Sequence, residues 1–250
     1  MIRLAPTFLA AAATLALFVP AITTAQGMVG WHQTPASGMN DVAVAPGGTV
    51  WLAGENGTIW YSNDQGATFT KIEASGFSRL SVGGDNILWA VGANGTLWKR
   101  VGSAWTQTSA SGMLDVSATG AGGKVWLAGK NGTIWSTSDG GATFDKNDAS
   151  GMCRVSAARD ELWGVGCNGT LWRLKDGAWT QTSASGIGDA GAAPSGRILW
   201  LAGKNGTIWY TSDHGANFLK VEASGFESVA AGNGGWVWGV GFNQTLWSRH

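Results

Sequence analysis

The 250-residue chain balances 16 Lys and Arg against 16 Asp and Glu, and its charged share is 13%, about half the usual value. With no basic run or patch, nucleic acid is not an expected partner. Glycine (40) and tryptophan (16) are abundant while tyrosine (2) and histidine (3) are scarce, which points to heavy aromatic packing or to stacking platforms for sugars.

Residues 1–25 stand apart. "MIR" supplies a positive start, "LAPTFLAAAATLALFVPAI" an apolar run, and "TTA" small residues before Gln26. This pattern reads as a secretory signal peptide rather than a retained anchor. Pro6 and Pro20 argue further against a spanning helix. No later stretch reaches the roughly 18 apolar residues of a membrane span. A secreted or periplasmic protein is expected, with Cys153 and Cys167 in an oxidising setting.

Residues 26–250 read as one repeat domain. The asparagines Asn56, Asn94, Asn131, Asn168, Asn205 and Asn243 recur at spacings of 38, 37, 37, 37 and 38. A Ser-Gly pair precedes each unit, ending for example at Gly38, Gly76 and Gly112. Two unit types alternate, "VWLAGKNGTIWSTSDGGATF" and "LWGVGCNGTLWRLKDGAWTQT". Each unit reads as four short strands with glycine-rich turns. In residues 41–72 these are "DVAVA", "TVWLAGE", "TIWYSN" and "ATFTKI".

Asn-Gly favours a two-residue type I′ hairpin turn. That turn would set Ala53 opposite Trp60 and Trp51 opposite Ser62. Asn-x-Thr is also a glycosylation acceptor, but the turn accounts for the recurrence. Both strand faces are apolar, so both need cover. The last unit, ending "TLWSRH", contains only three strands, and "GWHQT" (Gly30 to Thr34) matches the missing fourth. The expected fold is therefore all-β: a six-bladed β-propeller of four-stranded blades, closed by the N-terminal strand joining the last blade. Cys153 and Cys167 sit symmetrically about Asp160 and are expected to form a structural disulfide, with free thiols the alternative.

No motif for catalysis or metal binding appears. No cofactor and no enzymatic activity are expected. His32 and His250 are placed near the closure seam. The stretches "SNDQGATF", "TSDGGATF" and "TSDHGANF" resemble the Asp-box hairpin of sialidases and related propellers. The matching residues are Asp64, Gly66, Thr68 and Phe69, with equivalents at Asp139 and Asp213. In those families the box is a fold element, so the resemblance implies scaffold. "LWAVGANGTLWKR", "LWGVGCNGTLWRL" and "VWGVGFNQTLWSR" resemble tectonin repeats. That resemblance implies a six-bladed lectin that binds lipopolysaccharide or O-methylated or N-acetylated glycans in clefts between blades.

A ligand is expected on the rim shared by the Ser-Gly loops and the Asn-Gly turns. The candidate carbohydrate-binding residues are Asp41, Arg79, Asp115, Arg154 and Asp189, with the apolar neighbours Phe77, Met113, Met152 and Phe226. The charged set reads first as Asp–Arg pairs joining blades at the channel mouth. The paired tryptophans, such as Trp51/Trp60, are expected in the core, and Trp31, Trp105 and Trp179 within reach of solvent. The expected function is a monomeric lectin with repeated weak sites, possessing no membrane span. The alternative is a propeller scaffold or assembly factor that binds a protein partner on one rim.

Overall fold

The computed structural model describes residues 30–119 and 123–250; the signal-peptide reading of residues 1–25 lies outside the described residues. Six four-stranded antiparallel sheets surround an axis. The first blade comprises Met39–Val44, Val50–Gly54, Ile59–Ser62 and Thr70–Ile72. The second, third, fourth and fifth open at Phe77–Val82, Met113–Ala118, Met152–Ala157 and Ile187–Ala192. The sixth comprises Phe226–Ala231, Val237–Gly241, Leu246–Arg249 and the N-terminal His32–Gln33. Opening strands of all the blades line one narrow central space, so they are the innermost. A single 3-10 turn, Asn233–Gly235, is the helical content of the described residues. None of their helices is long and apolar enough to cross a membrane.

Ring closure follows the sequence expectation. His32 pairs with Ser248 and Gln33 with Trp247. The Thr34 amide donates to Leu246 O at 2.9 Å, and the Leu246 amide to Ala36 O at 3.2 Å. Trp31, expected to be reachable, is instead 5% exposed. Its ring lies 4.6 Å from that of Phe226, across the sixth sheet. Gly239 between them makes this approach possible, since a Cβ there would sit 2.6 Å from the Phe226 ring.

The hairpin register differs from the expected one. Gly57 N donates to Gly54 O and Gly54 N to Thr58 O, which leaves a three-residue loop of Glu55, Asn56 and Gly57. Only Gly57 has positive φ, at 77°. This is a type I turn followed by one left-handed residue, which suits a three-residue connection. Cross-strand partners therefore shift by one, to Ala53–Ile59, Leu52–Trp60 and Trp51–Tyr61. Asn56 accepts through Oδ1 from the Thr58 amide and hydroxyl. The Thr58 hydroxyl in turn accepts from the Trp60 indole N–H at 3.0 Å. The same Asn–Thr–Trp chain recurs in every blade, as at Asn205, Thr207 and Trp209. The backbone therefore needs this tripeptide six times over, which explains the repeat without sugar. In the sixth blade Gln244 takes the left-handed position at φ 63°.

Each innermost strand also carries a bulge. In the first blade Met39 faces Gly54 but Asp41 faces Ala53, so Asn40 is the extra residue. Bulges re-aim side chains. Met39 packs among Trp238, Val50 and Leu246 at the seam, whereas Asp41 lines the channel. Cys153 is the bulged residue of the fourth blade. Its disulfide to Cys167 forms across a Cα separation of 4.9 Å. The pairing centre is half a residue from Asp160.

The blades are joined as doublets. Trp89, Trp163 and Trp238, on the second strands of even blades, are 1–2% exposed. Over each lies a glycine of the following odd blade's long outer hairpin: Gly141, Gly215 and Gly66. At Gly215 φ is 84°, and a Cβ would lie 3.1 Å from the Trp163 ring. Even blades have short outer turns, as at Gly102 and Gly177. The odd-blade tryptophans Trp51, Trp126 and Trp200 are consequently half-buried. They are flanked by cations instead: Arg100 over Trp51 at 5.5 Å, Lys124 over Trp126 at 4.2 Å and Arg249 over Trp200 at 5.8 Å.

Trp31→Ala should remove the plug of the closure seam. Truncating a buried tryptophan costs about 3–5 kcal/mol, so thermal unfolding followed by circular dichroism should shift down by about 10 °C. Trp105→Ala, at a half-buried outer strand, should shift it less. Equal shifts would contradict the seam's special role.

Candidate functional site

The charged residues singled out in the sequence converge on the channel. Asp41 Oδ1 receives Arg79 Nη1 at 3.1 Å and the Ser228 hydroxyl at 3.2 Å, and its Oδ2 receives the Leu80 amide at 2.8 Å. Asp115 accepts from the Val155 amide at 2.8 Å and Asp189 from the Val229 amide at 3.0 Å. Each odd-blade aspartate thus satisfies a backbone N–H on the next blade's innermost strand, which has no ladder partner on that side. Asp41, Asp115 and Asp189 are all less than 9% exposed.

Two arginines serve these three carboxylates, because the third arginine position holds Ser228. Arg79 pairs with Asp41, while Arg154 Nε lies 3.9 Å from Asp189. Arg154 also donates to Cys153 O. Burial pushes the Asp115 carboxyl up to about 7, against the pull of Arg154 and Arg79. Burial raises Asp41 too, although Arg79 opposes it. Arg79 and Arg154 line a channel-mouth cavity of about 290 Å³ with Asn40, Ser78 and Glu227.

The four apolar candidates are elsewhere. Phe77 (7% exposed) stacks on Trp105 at 4.6 Å. Met113, Met152 and Phe226 are 8%, 4% and 0% exposed and belong to three separate inter-blade clusters. The structure therefore joins the charged residues to one another and divides them from the apolar ones.

The three outer hairpins of the odd blades are held by aspartates. Asp64 receives the Thr68 hydroxyl and amide and the Ser62 hydroxyl. These hydrogen bonds hold its carboxyl down at about 2. The Asn217 amide and side chain, then Thr211, do the same for Asp213, also to about 2, and Asp139 is lowered likewise, with Thr143 as its main donor. Between the fourth and fifth blades, buried Glu161 gathers Arg173, Lys175 and His214 on one oxygen. Burial opposes its charge, but the bonds from Arg173 and His214 outweigh that and lower its pKa. His32 is exposed. His250 turns instead to Trp236, with ring centres 4.7 Å apart. Among the described residues no group of three or more His, Cys, Asp or Glu is fit to hold a metal.

One open apolar site was not anticipated. A cleft of about 520 Å³ lies between the fourth and fifth blades. Its walls are Trp209, Phe218, Leu201 and Ile187; Ser183, Ser185, Asn205, Lys204 and Lys220 edge it. Thr207 takes the Trp209 indole N–H at 3.0 Å. The ring is thereby fixed with its donor already used, and what it offers is its π-face. The same places on the first and third blades hold Trp60 with Phe69 and Trp135 with Phe144, each pair packed on its own seam.

No protein-family model matches the chain, and no curated protein matches it by sequence. Among solved structures it is similar to a GH74 enzyme of Niastella koreensis, with a TM-score of 0.62 at 18% identity. That match covers 84% of this chain and 36% of the enzyme's, so the chain spans about a third of its length. It is also similar to YCF48 bound to a D1 peptide (TM-score 0.59, 18% identity), over 88% of this chain and 96% of that one. YCF48 from Cyanidioschyzon merolae gives 0.59 at 17% identity, over 88% and 98%. At such identities the likeness concerns the fold alone; the six blades are those of this chain's own sheets.

The two classes of aspartate titrate in opposite senses. A raised folded-state pKa, as at Asp115, favours folding below the unfolded value near 4 and loses that contribution as pH climbs to about 7. A lowered one, as at Asp64 and Asp213, supplies stability above about 4 that is lost as pH falls toward about 2. Melting temperature should therefore peak at about pH 4–6. Asp115→Asn keeps an acceptor for Val155 and should flatten the alkaline limb, raising melting at pH 8 by about 5 °C. A scan unchanged by that substitution would show that Asp115 is not the group responsible.

Proposed function

We propose that the protein is a non-catalytic carbohydrate-binding propeller whose ligand sites are the inter-blade clefts of the odd blades. The observation that carries this reading is the cleft at Trp209: an open apolar floor with a pinned indole face, edged by hydroxyl, amide and ammonium donors. Sugar rings present apolar C–H faces and polar rims, and such sites combine apolar walls with a few fixed polar groups. The resemblance of the even blades to tectonin repeats supports a sugar ligand for the ring without placing it on the odd blades, and related Trp–Phe sites on three blades would gain from multivalent surfaces.

The nine residues first singled out take a different part in this proposal. Asp41, Asp115, Asp189, Arg79 and Arg154 hold the inner strands together, with the arginines also facing the channel mouth. Met113 packs beside Trp135, whereas Phe77, Met152 and Phe226 pack in the seams that hold none of Trp60, Trp135 and Trp209. The disulfide is compatible with an exported protein.

A second reading is a protein-binding scaffold. The match to YCF48 along nearly the whole of both chains favours it, since that structure is of a peptide complex.

Isothermal titration against a panel of oligosaccharides decides between these readings. Binding at up to three like sites, with Trp209→Ala removing one, is the expected result. No heat from any sugar at millimolar concentration would defeat the carbohydrate reading.

A further inference from the structure

Resting on the carbohydrate reading, we infer that these clefts select acidic sugars, those carrying uronate, sulfate or phosphate groups, and that the third and fifth blades hold the competent ones. The argument starts from register. Lys220 is the direct cross-strand partner of Trp209, Lys146 of Trp135 and Lys71 of Trp60. Each odd blade therefore sets an ammonium beside its platform indole, on the same face. At the same register in even blades Trp98 faces Gln107, Trp172 faces Gln181 and Trp247 faces Gln33. The strand accepts a neutral amide at this place, so its geometry does not demand lysine.

Lysine on an outermost strand also guards the sheet edge against pairing with another chain. That role does not account for a second lysine. Lys204, at the tip of the Asn-Gly hairpin, is on no edge, yet it borders the same cleft as Lys220. Its Nζ donates to Cys167 O on the neighbouring hairpin at 3.1 Å, which anchors the ammonium at the rim with donors to spare. Lys130 holds the same tip position on the third blade, with Nζ 3.5 Å from Asn94 O. No Asp or Glu lines the cleft at Trp209. Two cations over an aromatic floor suit a sugar that offers an anion beside a C–H face.

The first blade differs in charge at one residue. Its hairpin tip carries Glu55 where the others carry Lys130 and Lys204. A carboxylate at the tip replaces the second cation with a negative charge, which opposes an incoming anion and offsets Lys71. The third and fifth blades therefore bind acidic sugar and the first does not.

The test is titration of the full chain with tetragalacturonate and with a neutral tetragalactoside, at low and at physiological salt. The uronate should bind at two sites, about tenfold more tightly than the neutral sugar, and more weakly as salt rises. Glu55→Lys should raise the number of sites to three. The double variant Lys146→Gln with Lys220→Gln should erase the preference without moving the melting temperature, because even blades carry glutamine there already. Equal binding of the two sugars, or tighter binding of the neutral one, overturns acidic selectivity and leaves the carbohydrate reading standing. Failure of both to bind overturns the two together. Competition by inorganic phosphate as effective as that of the uronate would mark a bare anion site and also overturn the proposal.

Discussion

The constraint on which this ring depends is a single hydrogen bond made six times. The carbonyl of the left-handed residue at each Asn-Gly tip accepts the first amide of the next blade's innermost strand. Phe77 N reaches Gly57 O, Met113 N reaches Gly95 O, and so on to Met39 N on Gln244 O, which crosses the closure seam. The tip must adopt positive φ to aim this carbonyl, and at Gly57 it must also lie against Gly76, where a Cβ would sit 2.6 Å from the amide nitrogen. Asn56 and Thr58 exist to shape that tip, and the bond to Trp60 transmits its geometry to the platform ring. Local turn chemistry, ring closure and the posture of the tryptophans are thus one system.

Much of this was legible in the sequence because the signals are periodic. Glycine, asparagine and tryptophan at fixed spacing gave the blade count, and the match of "GWHQT" to "AWTQT" gave the closure. Register was not legible to the residue. Asn-Gly supports both two- and three-residue loops, and the choice here rests on the fit of the tip against the next blade. The bulges were invisible for a like reason, since no residue type marks them; Asn40, Ser78, Leu114, Cys153, Gly188 and Glu227 share no chemistry.

The same limit governed the candidate site. Acid–base alternation in the first strands was real, but only the neighbouring blade shows that those carboxylates are committed to backbone amides. The cleft at Trp209 draws on all four strands of the fifth blade and on the linker that precedes it, so no contiguous motif announces it. One signal was available in retrospect: Lys71, Lys146 and Lys220 alternate with Gln33, Gln107 and Gln181 along the chain. Such a contrast at matched register is a place to look for ligand chemistry, because both blade types pair this residue with the same tryptophan.

The doublet seams carry a consequence for how many blades such a ring can hold. A long hairpin with its glycine fits only over a fully sunk tryptophan, and an indole left at the surface fits only beside a short turn. Like cannot abut like. A ring so constructed obeys a parity rule: it can lengthen or shorten by pairs of blades, never by one, because an odd count would leave a mismatched joint somewhere on the circle. A single added blade would set a long hairpin over a half-buried tryptophan or leave a sunk one without its glycine cover.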